Sequence, residues 1–289
     1  MIHVYKMGLS YYKNKIDKNS GMTEVKIISD ELSRIRTDKN VLVIINGVRD
    51  VADECVFDEI KNYDLSIFIM SDSIALDTSL DIMNACDFVL HQAPCYTFER
   101  IKSSQFYSFV PELFYRYCKN LIANGEIKVK KTESPDVIYF GGNNKNRDDK
   151  FKIYKINEAP NIFSRYKLYE TGEDTRISHI EYLKELSHYS YSLVICRKDY
   201  RNIGWITSRY FEAIALDNVP LIDWEYDINN YLIKSDVLRV KDYESLVSVH
   251  EYLRQNSLLS DFYLRNLKSC AECNTEKFKE QIERIINNK

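Results

Sequence analysis

Short runs of largely apolar residues recur along this chain, and between most of them lies a stretch with helical periodicity. The runs fall at residues 41–46, 65–70, 88–90, 192–196 and 219–222. Runs of this kind suit strands covered on both faces, an environment that parallel sheets provide when helices cross over them. Residues 3–7 read as a first strand, and residues 23–35, 80–86 and 109–123 as helices, the last closed by Asn124-Gly125. A second set follows, with strands at 137–140, 167–169 and 237–240 and helices at 243–254, 261–270 and 275–287. The alternation predicts an α/β protein with parallel sheets.

At 289 residues the chain exceeds one ordinary domain, and two α/β domains of about 130 to 150 residues are the natural division. The polar stretch 128–135, ending in Ser134-Pro135, is the candidate linker. Residues 1–133 and 134–272 are thus expected to be separate domains, with 273–289 a terminal helix crossing back to the first.

A hydrophobic content of 45% with 29% charged residues describes a globular protein. No apolar run approaches the roughly 20 residues that span a bilayer. The first residues read as a strand rather than a signal peptide, so a cytoplasmic monomer away from membranes is expected. Seven cysteines, an odd and scattered set, suit a reducing compartment. Cys270 and Cys273 have metal or redox spacing, but no second pair accompanies them, so they read as ordinary helix cysteines.

A formal net charge of −3 argues against wholesale wrapping of nucleic acid. Two local clusters run the other way: Lys13, Lys15 and Lys18 beside Tyr11 and Tyr12, and Lys128, Lys130 and Lys131. A solvated loop is the default reading of either, and a DNA-facing patch the alternative.

The richest stretch for chemistry is Trp205 to Asp223. Arg209 and Glu212 are three apart, which on a helix puts both on one face close to the N-terminus. An intrahelical ion pair is the plain explanation. A cation, an acceptor and a positive helix end together also suit a nucleoside diphosphate, with charge for the pyrophosphate and a carboxylate for the ribose hydroxyls. Two further loops follow strands: Gly141-Gly142-Asn143-Asn144-Lys145-Asn146-Arg147, and Arg197-Lys198-Asp199-Tyr200. The glycines permit close backbone approach to a ligand, and Lys145 and Arg147 supply positive charge. Ligands of doubly wound sheets bind at the carboxyl ends of the strands, which puts these loops at a central cleft between facing domains.

In their order and spacing these residues resemble the T-even phage DNA β-glucosyltransferases, GT-B enzymes that add sugar to 5-hydroxymethylcytosine in DNA. The resemblance runs from Val137-Ile-Tyr-Phe-Gly-Gly142-Asn through Lys198-Asp-Tyr200 and Ile206-Thr-Ser-Arg209-Tyr-Phe-Glu212 to Leu221-Ile-Asp223 and Asp227. It implies the GT-B architecture, two Rossmann-like doubly wound domains facing a cleft, and a UDP-sugar donor. Under it Gly142 and Asn143 would donate to phosphate, Lys145 would stand where the family has an arginine, and Arg209 would hold the pyrophosphate. Glu212 would accept from the ribose hydroxyls, Tyr200 would contact the donor, and Ile177 would lie near the uracil. A second family arginine falls on Asp149, with Arg147 or Lys150 as substitutes.

The first domain departs from the family. Where the family has its catalytic aspartate and, two residues on, an arginine, this chain has Leu90-His91-Gln92-Ala93-Pro94. Transfer with inversion needs a base for the acceptor hydroxyl and positive groups for the leaving diphosphate. His91, placed in a loop at a strand end, is the first candidate base and Asp72 the second. Their structural alternatives are a histidine closing a strand and an aspartate capping a helix.

The resemblance implies a double-stranded DNA acceptor carrying hydroxymethylcytosine, its target base flipped out of the stack. Lys13, Lys15, Lys18, Arg100 and Lys102 are then the candidate DNA contacts. Glucose follows from the family, and the changed residues at 91–94 leave a pentose such as arabinose open. No Asp-x-Asp motif marks a metal site, so Mg²⁺ is expected at most to assist product release. A glycan acceptor and a non-catalytic UDP- or DNA-binding relative are the other readings.

Overall fold

Val41–Ile45 (β2) and Leu65–Met70 (β3) are buried along their whole length, as strands covered on both faces must be. A computed structural model of the chain describes residues 1–7, 18–45, 54–70, 79–93, 98–101, 104–106, 109–130, 137–140, 148–156, 158, 178–195, 197–226 and 236–289. They divide into a first unit, Met1–Leu113 with Asn274–Lys289, and a second, Phe114–Cys273.

The first unit is a five-stranded sheet in chain order: β1 (Ile2–Lys6), β2, β3, β4 (Phe88–His91) and β5 (Ser104–Phe106). Every neighbouring pair is parallel, with Val43 beside Ile67 and Ile69 beside Leu90. Helices α1 (Lys18–Leu32), α2 (Glu54–Ile60) and α3 (Leu80–Ala85) lie between strands in sequence. Asp87 ties β3 to the start of β4: its Oδ2 accepts from Ser66 N at 2.8 Å and from Ser66 Oγ at 2.9 Å.

The second unit has a four-stranded parallel sheet, again in chain order. Its strands are β6 (Val137–Ile138), β7 (Tyr191–Val194), β8 (Val219–Asp223) and β9 (Arg239–Val240). Its helices are α4 (Phe109–Ala123, which starts in the first unit), α5 (Asp148–Ile153), α6 (His179–Leu186), α7 (Lys198–Arg201), α8 (Ser208–Ala215) and α9 (Tyr243–Gln255). Ser178 and Asp242 open α6 and α9 with reciprocal capping boxes, satisfying N–H groups that the helix itself leaves unpaired.

Several boundaries differ from those the sequence suggests. The division falls inside α4 rather than at 128–135, because α4 from Phe114 onward packs into the second unit, where the Tyr115 hydroxyl meets Glu272 Oε1 at 2.9 Å. The chain from 257 on is one helix, α10 (Ser257–Asn288), without a break near 271–274. Its buried stripe, Leu267, Ala271, Phe278, Ile282 and Ile285, keeps helical spacing straight through. Asn274–Lys289 belongs to the first unit, where Lys39 Nζ donates to Ile286 O at 2.6 Å. Residues 237–240 begin as a 3-10 turn and only the last two pair as β9. The strand Ser104–Phe106 carried no apolar run to announce it. The expected strand at 167–169 lies outside the described residues.

Candidate functional site

The helix α8 is held at both ends by residues of the adjoining chain. At its C-terminus Asp217 takes the left-handed conformation, φ 62°, and turns the chain directly into β8. The Asn218 amide secures that turn by donating to Leu186 O at 3.2 Å and Tyr189 O at 2.8 Å. At the N-terminus the Thr207 side chain makes no capping hydrogen bond. Instead its backbone N–H donates to the Tyr226 hydroxyl at 2.8 Å, fixing the helix start to the chain just beyond β8. The first-turn N–H groups of α8 thus have no cap from Thr207, at the positive end of the helix dipole.

Tyr210 through Ala215 are buried, Glu212 among them with 3% exposure, while Arg209 stays partly exposed. Glu212 is drawn into a polar cluster. His179 Nε2 lies 3.0 Å from its Oε1, and the Tyr182 hydroxyl donates to its Oε2 at 3.0 Å. Burial by itself would raise the Glu212 pKa, but the hydrogen bond and charge of His179, the Arg209 charge and the Tyr182 hydrogen bond outweigh it and hold the carboxyl below its ordinary value. The Arg209 guanidinium lies over the Tyr182 ring, 5.2 Å from its centroid. Cys118 sits fully buried in the same surroundings, its thiol pushed up by burial and by the Glu212 charge, and so is no nucleophile.

Arg209 and Glu212 therefore share one end of α8, but the carboxylate is already committed on each oxygen. A carboxylate has about four acceptor positions. Two remain for a ligand such as a ribose diol.

A second charged cluster gathers at the end of β8. Lys150 Nζ lies 2.9 Å from Asp223 Oδ1 and 2.6 Å from Glu225 Oε2. Arg201 pairs with the same Glu225 and, at 2.9 Å, with Asp149 Oδ2. Lys150 and Asp223 are buried to 1% and 0% exposure. Lys150 therefore cannot stand in for a phosphate-binding arginine: its charge is consumed inside the fold. Asp149 does not stand alone either, since Arg201 neutralises it.

Tyr200 is buried in α7, with the Arg197 guanidinium 4.4 Å from its ring centroid and Trp205 stacked at 6.1 Å. Gly142, Asn143, Lys145, Arg147 and Ile177 lie outside the described residues, as do Lys13, Lys15, Lys102 and Asp72. Lys18 opens α1, and its side chain is likewise outside them. Arg100 is exposed in a turn of the first unit, where its carbonyl accepts from Asn84 Nδ2 at 3.2 Å.

His91 is the last residue of a buried strand rather than a loop residue, with 1% exposure. Its Nδ1 accepts from Ala93 N at 3.4 Å, and Phe98 meets the ring edge-on at 4.7 Å. Burial pushes its pKa down to about 4. The ring is neutral at pH 7 with its lone pair turned to the backbone. A general base works best with its pKa near the working pH, and this histidine has the features of a core residue.

His179 escaped the sequence reading. Its signal was present: Ser178-x-x-Glu181 before Tyr182-Leu183 is a capping-box pattern that starts a helix three residues before its apolar face. Cys270 is exposed on α10, and no group of three or more His, Cys, Asp or Glu that could hold a metal occurs among the described residues. No helix among them is long and apolar enough to cross a membrane.

Two α/β units with parallel sheets and the chain-long similarities below define a protein of the GT-B fold. Among solved structures the chain is similar to T4 phage BGT in complex with UDP and Mn²⁺, at 15% identity, 99% of each chain covered and a TM-score of 0.59. It is similar to T4 phage BGT with its UDP-glucose substrate at 18% identity, 99% of each chain and 0.59. A structure described as trehalose-6-phosphate from E. coli bound with UDP-2-fluoro glucose matches at 11% identity, over 96% of this chain and 84% of that one, with a TM-score of 0.51. No protein-family model and no curated protein sequence matches the chain.

Proposed function

We propose that this protein is a UDP-sugar-dependent glycosyltransferase that moves a sugar, with inversion, to the hydroxyl of 5-hydroxymethylcytosine in phage DNA within the host cytoplasm. The observation that carries the reading is the start of α8. There Arg209 and a buried, ionised Glu212 share one helix end with backbone N–H groups that the Thr207 side chain does not cap. This supplies a cation and helix dipole for a diphosphate and a carboxylate for a ribose. Support comes from a fold that matches, over 99% of both chains, an enzyme solved with UDP and with UDP-glucose.

In this reading Arg209 and the first-turn N–H groups of α8 stabilise charge on the departing UDP, with Gly142, Asn143, Lys145 and Arg147 supporting the phosphates, Tyr200 the donor and Ile177 the base. Asp72 becomes the preferred base, because the His91 lone pair faces the Ala93 N–H. Mg²⁺ at most assists product release in this reading, and the charge on the departing UDP is met by Lys and Arg. Lys13, Lys15, Lys18, Arg100 and Lys102 carry the DNA, and neutralising Lys13, Lys15 and Lys18 should lower acceptor affinity and flatten its salt dependence.

The test is mass spectrometry of hydroxymethylcytosine DNA after incubation with UDP-glucose, other UDP-hexoses and a UDP-pentose. A single added hexose or pentose on modified DNA, absent from unmodified cytosine DNA, supports the reading and names the donor. Transfer to a sugar or glycan in place of DNA establishes the second reading, which the match to the trehalose-6-phosphate structure favours. UDP binding without transfer to any acceptor establishes a non-catalytic relative.

A further inference from the structure

We infer that His179 is a positioning residue for donor recognition: with Tyr182 it fixes the plane of the Glu212 carboxylate, and so makes the site discriminate ribose from 2′-deoxyribose. The inference rests on the proposed uridine diphosphate site.

Two adjacent hydroxyls on a sugar ring can be read together only by a carboxylate whose plane is fixed. A free glutamate side chain turns about three bonds, and ordering it costs entropy on each binding event. In this fold the cost is met before the ligand arrives. Oε1 is held by His179 Nε2 and Oε2 by the Tyr182 hydroxyl, both at 3.0 Å. Both partners are themselves packed against aromatic rings, Tyr182 against Phe140 at 4.7 Å. The imidazole stacks on Tyr117, centroids 6.0 Å apart at 9°, and on Tyr182, 5.8 Å apart at 21°, while Phe114 meets it edge-on at 5.8 Å. Its other nitrogen, Nδ1, is buried and has no hydrogen-bond partner among the described residues, and because a carboxylate only accepts, Nε2 is the donor to Glu212.

The chemistry then follows from counting. Each carboxylate oxygen spends one acceptor position on the protein and keeps one for the ligand. A ribose fills both with its 2′ and 3′ hydroxyls. A 2′-deoxyribose leaves one facing apolar hydrogen, and hydrogen bonds to charged groups are the costly ones to lose.

The experiment is calorimetric titration of UDP and 2′-deoxy-UDP into the wild type and into His179→Phe, which keeps the aromatic stack but removes the donor. Tyr182→Phe serves as the second variant, and His179→Gln as the rescue that restores an N–H donor. The wild type is expected to prefer UDP by about tenfold or more. His179→Phe should shrink that preference by about fivefold or more, Tyr182→Phe should shrink it as well, and His179→Gln should recover it. A residue that merely supports the fold would weaken both ligands alike and leave the ratio unchanged. An unchanged ratio in His179→Phe, or in Tyr182→Phe should the first variant not fold, overturns the inference, as does a wild type that binds both ligands equally. A wild type that binds no UDP refutes the underlying site instead, and with it this role.

Discussion

Lys150 Nζ and Asp223 Oδ1 lie 2.9 Å apart, and both side chains are closed off from solvent. The pair joins α5, which follows the Gly141-Gly142 loop in sequence, to the carboxyl end of β8. Removing Lys150 takes the nearby opposite charge from a buried carboxylate, which costs more than the pair itself contributes. Lys150→Met should therefore destabilise the protein by about 3–5 kcal/mol in thermal or denaturant melts. A melt within about 0.5 kcal/mol of wild type would contradict the pairing, since only surface substitutions are that mild.

His91 gives a pH signature. Its folded pKa of about 4 lies below the ordinary 6.5, so above pH 6.5 both folded and unfolded forms are neutral and the residue adds no pH dependence. As pH falls from 6.5 toward 4 the unfolded chain takes up the proton first, and stability declines by up to about 3 kcal/mol. His91→Gln should flatten the stability profile in that window. It should also leave transfer at pH 7.5 largely intact provided the variant is folded, whereas Asp72→Asn should abolish it. The reverse pattern of rates would restore His91 as the base.

Tyr226 holds the start of α8 by accepting from the Thr207 N–H at 2.8 Å. Tyr226→Phe removes the acceptor of that half-buried donor. A loss of about 1–2 kcal/mol in stability is expected, together with weaker UDP binding, because the helix end proposed to hold the diphosphate is no longer fixed. Chemical denaturation and a UDP titration of the same preparation check both effects.

The last residues of α10 complete the first unit. Phe278, Ile282, Ile285 and Ile286 are all at most 5% exposed, and at about 1.5–3 kcal/mol for each buried side chain their removal costs about 6 kcal/mol or more. A chain truncated after Cys273 is expected to lose cooperative unfolding of the first unit in calorimetry. An unaltered transition would show that this segment is dispensable.

The parallel strands were legible because a strand covered on both faces needs a largely apolar run, and 41–46, 65–70 and 219–222 supply it. The Arg209–Glu212 turn was legible as spacing. What Glu212 touches was not, because His179 lies 33 residues away in sequence and meets it only when α6 and α8 pack. The unbroken course of α10 was hidden for a related reason. The sequence reads as two helices, 261–270 and 275–287, yet the stripe from Leu267 to Ile285 buries on both sides of that gap, and tertiary packing overrides the local signal. Likewise Lys150 reads as a free cation beside a glycine loop until Asp223, 73 residues on, is folded against it.

The grip of Arg209 and Glu212 on a uridine diphosphate is tested most directly by titrating UDP into the wild type and into Arg209→Ala. The account predicts saturable one-site binding to the wild type, weakened about tenfold or more in the variant through loss of a charge-assisted contact to the pyrophosphate. Absence of UDP binding to the folded wild type, or equal affinity in both proteins, would contradict it.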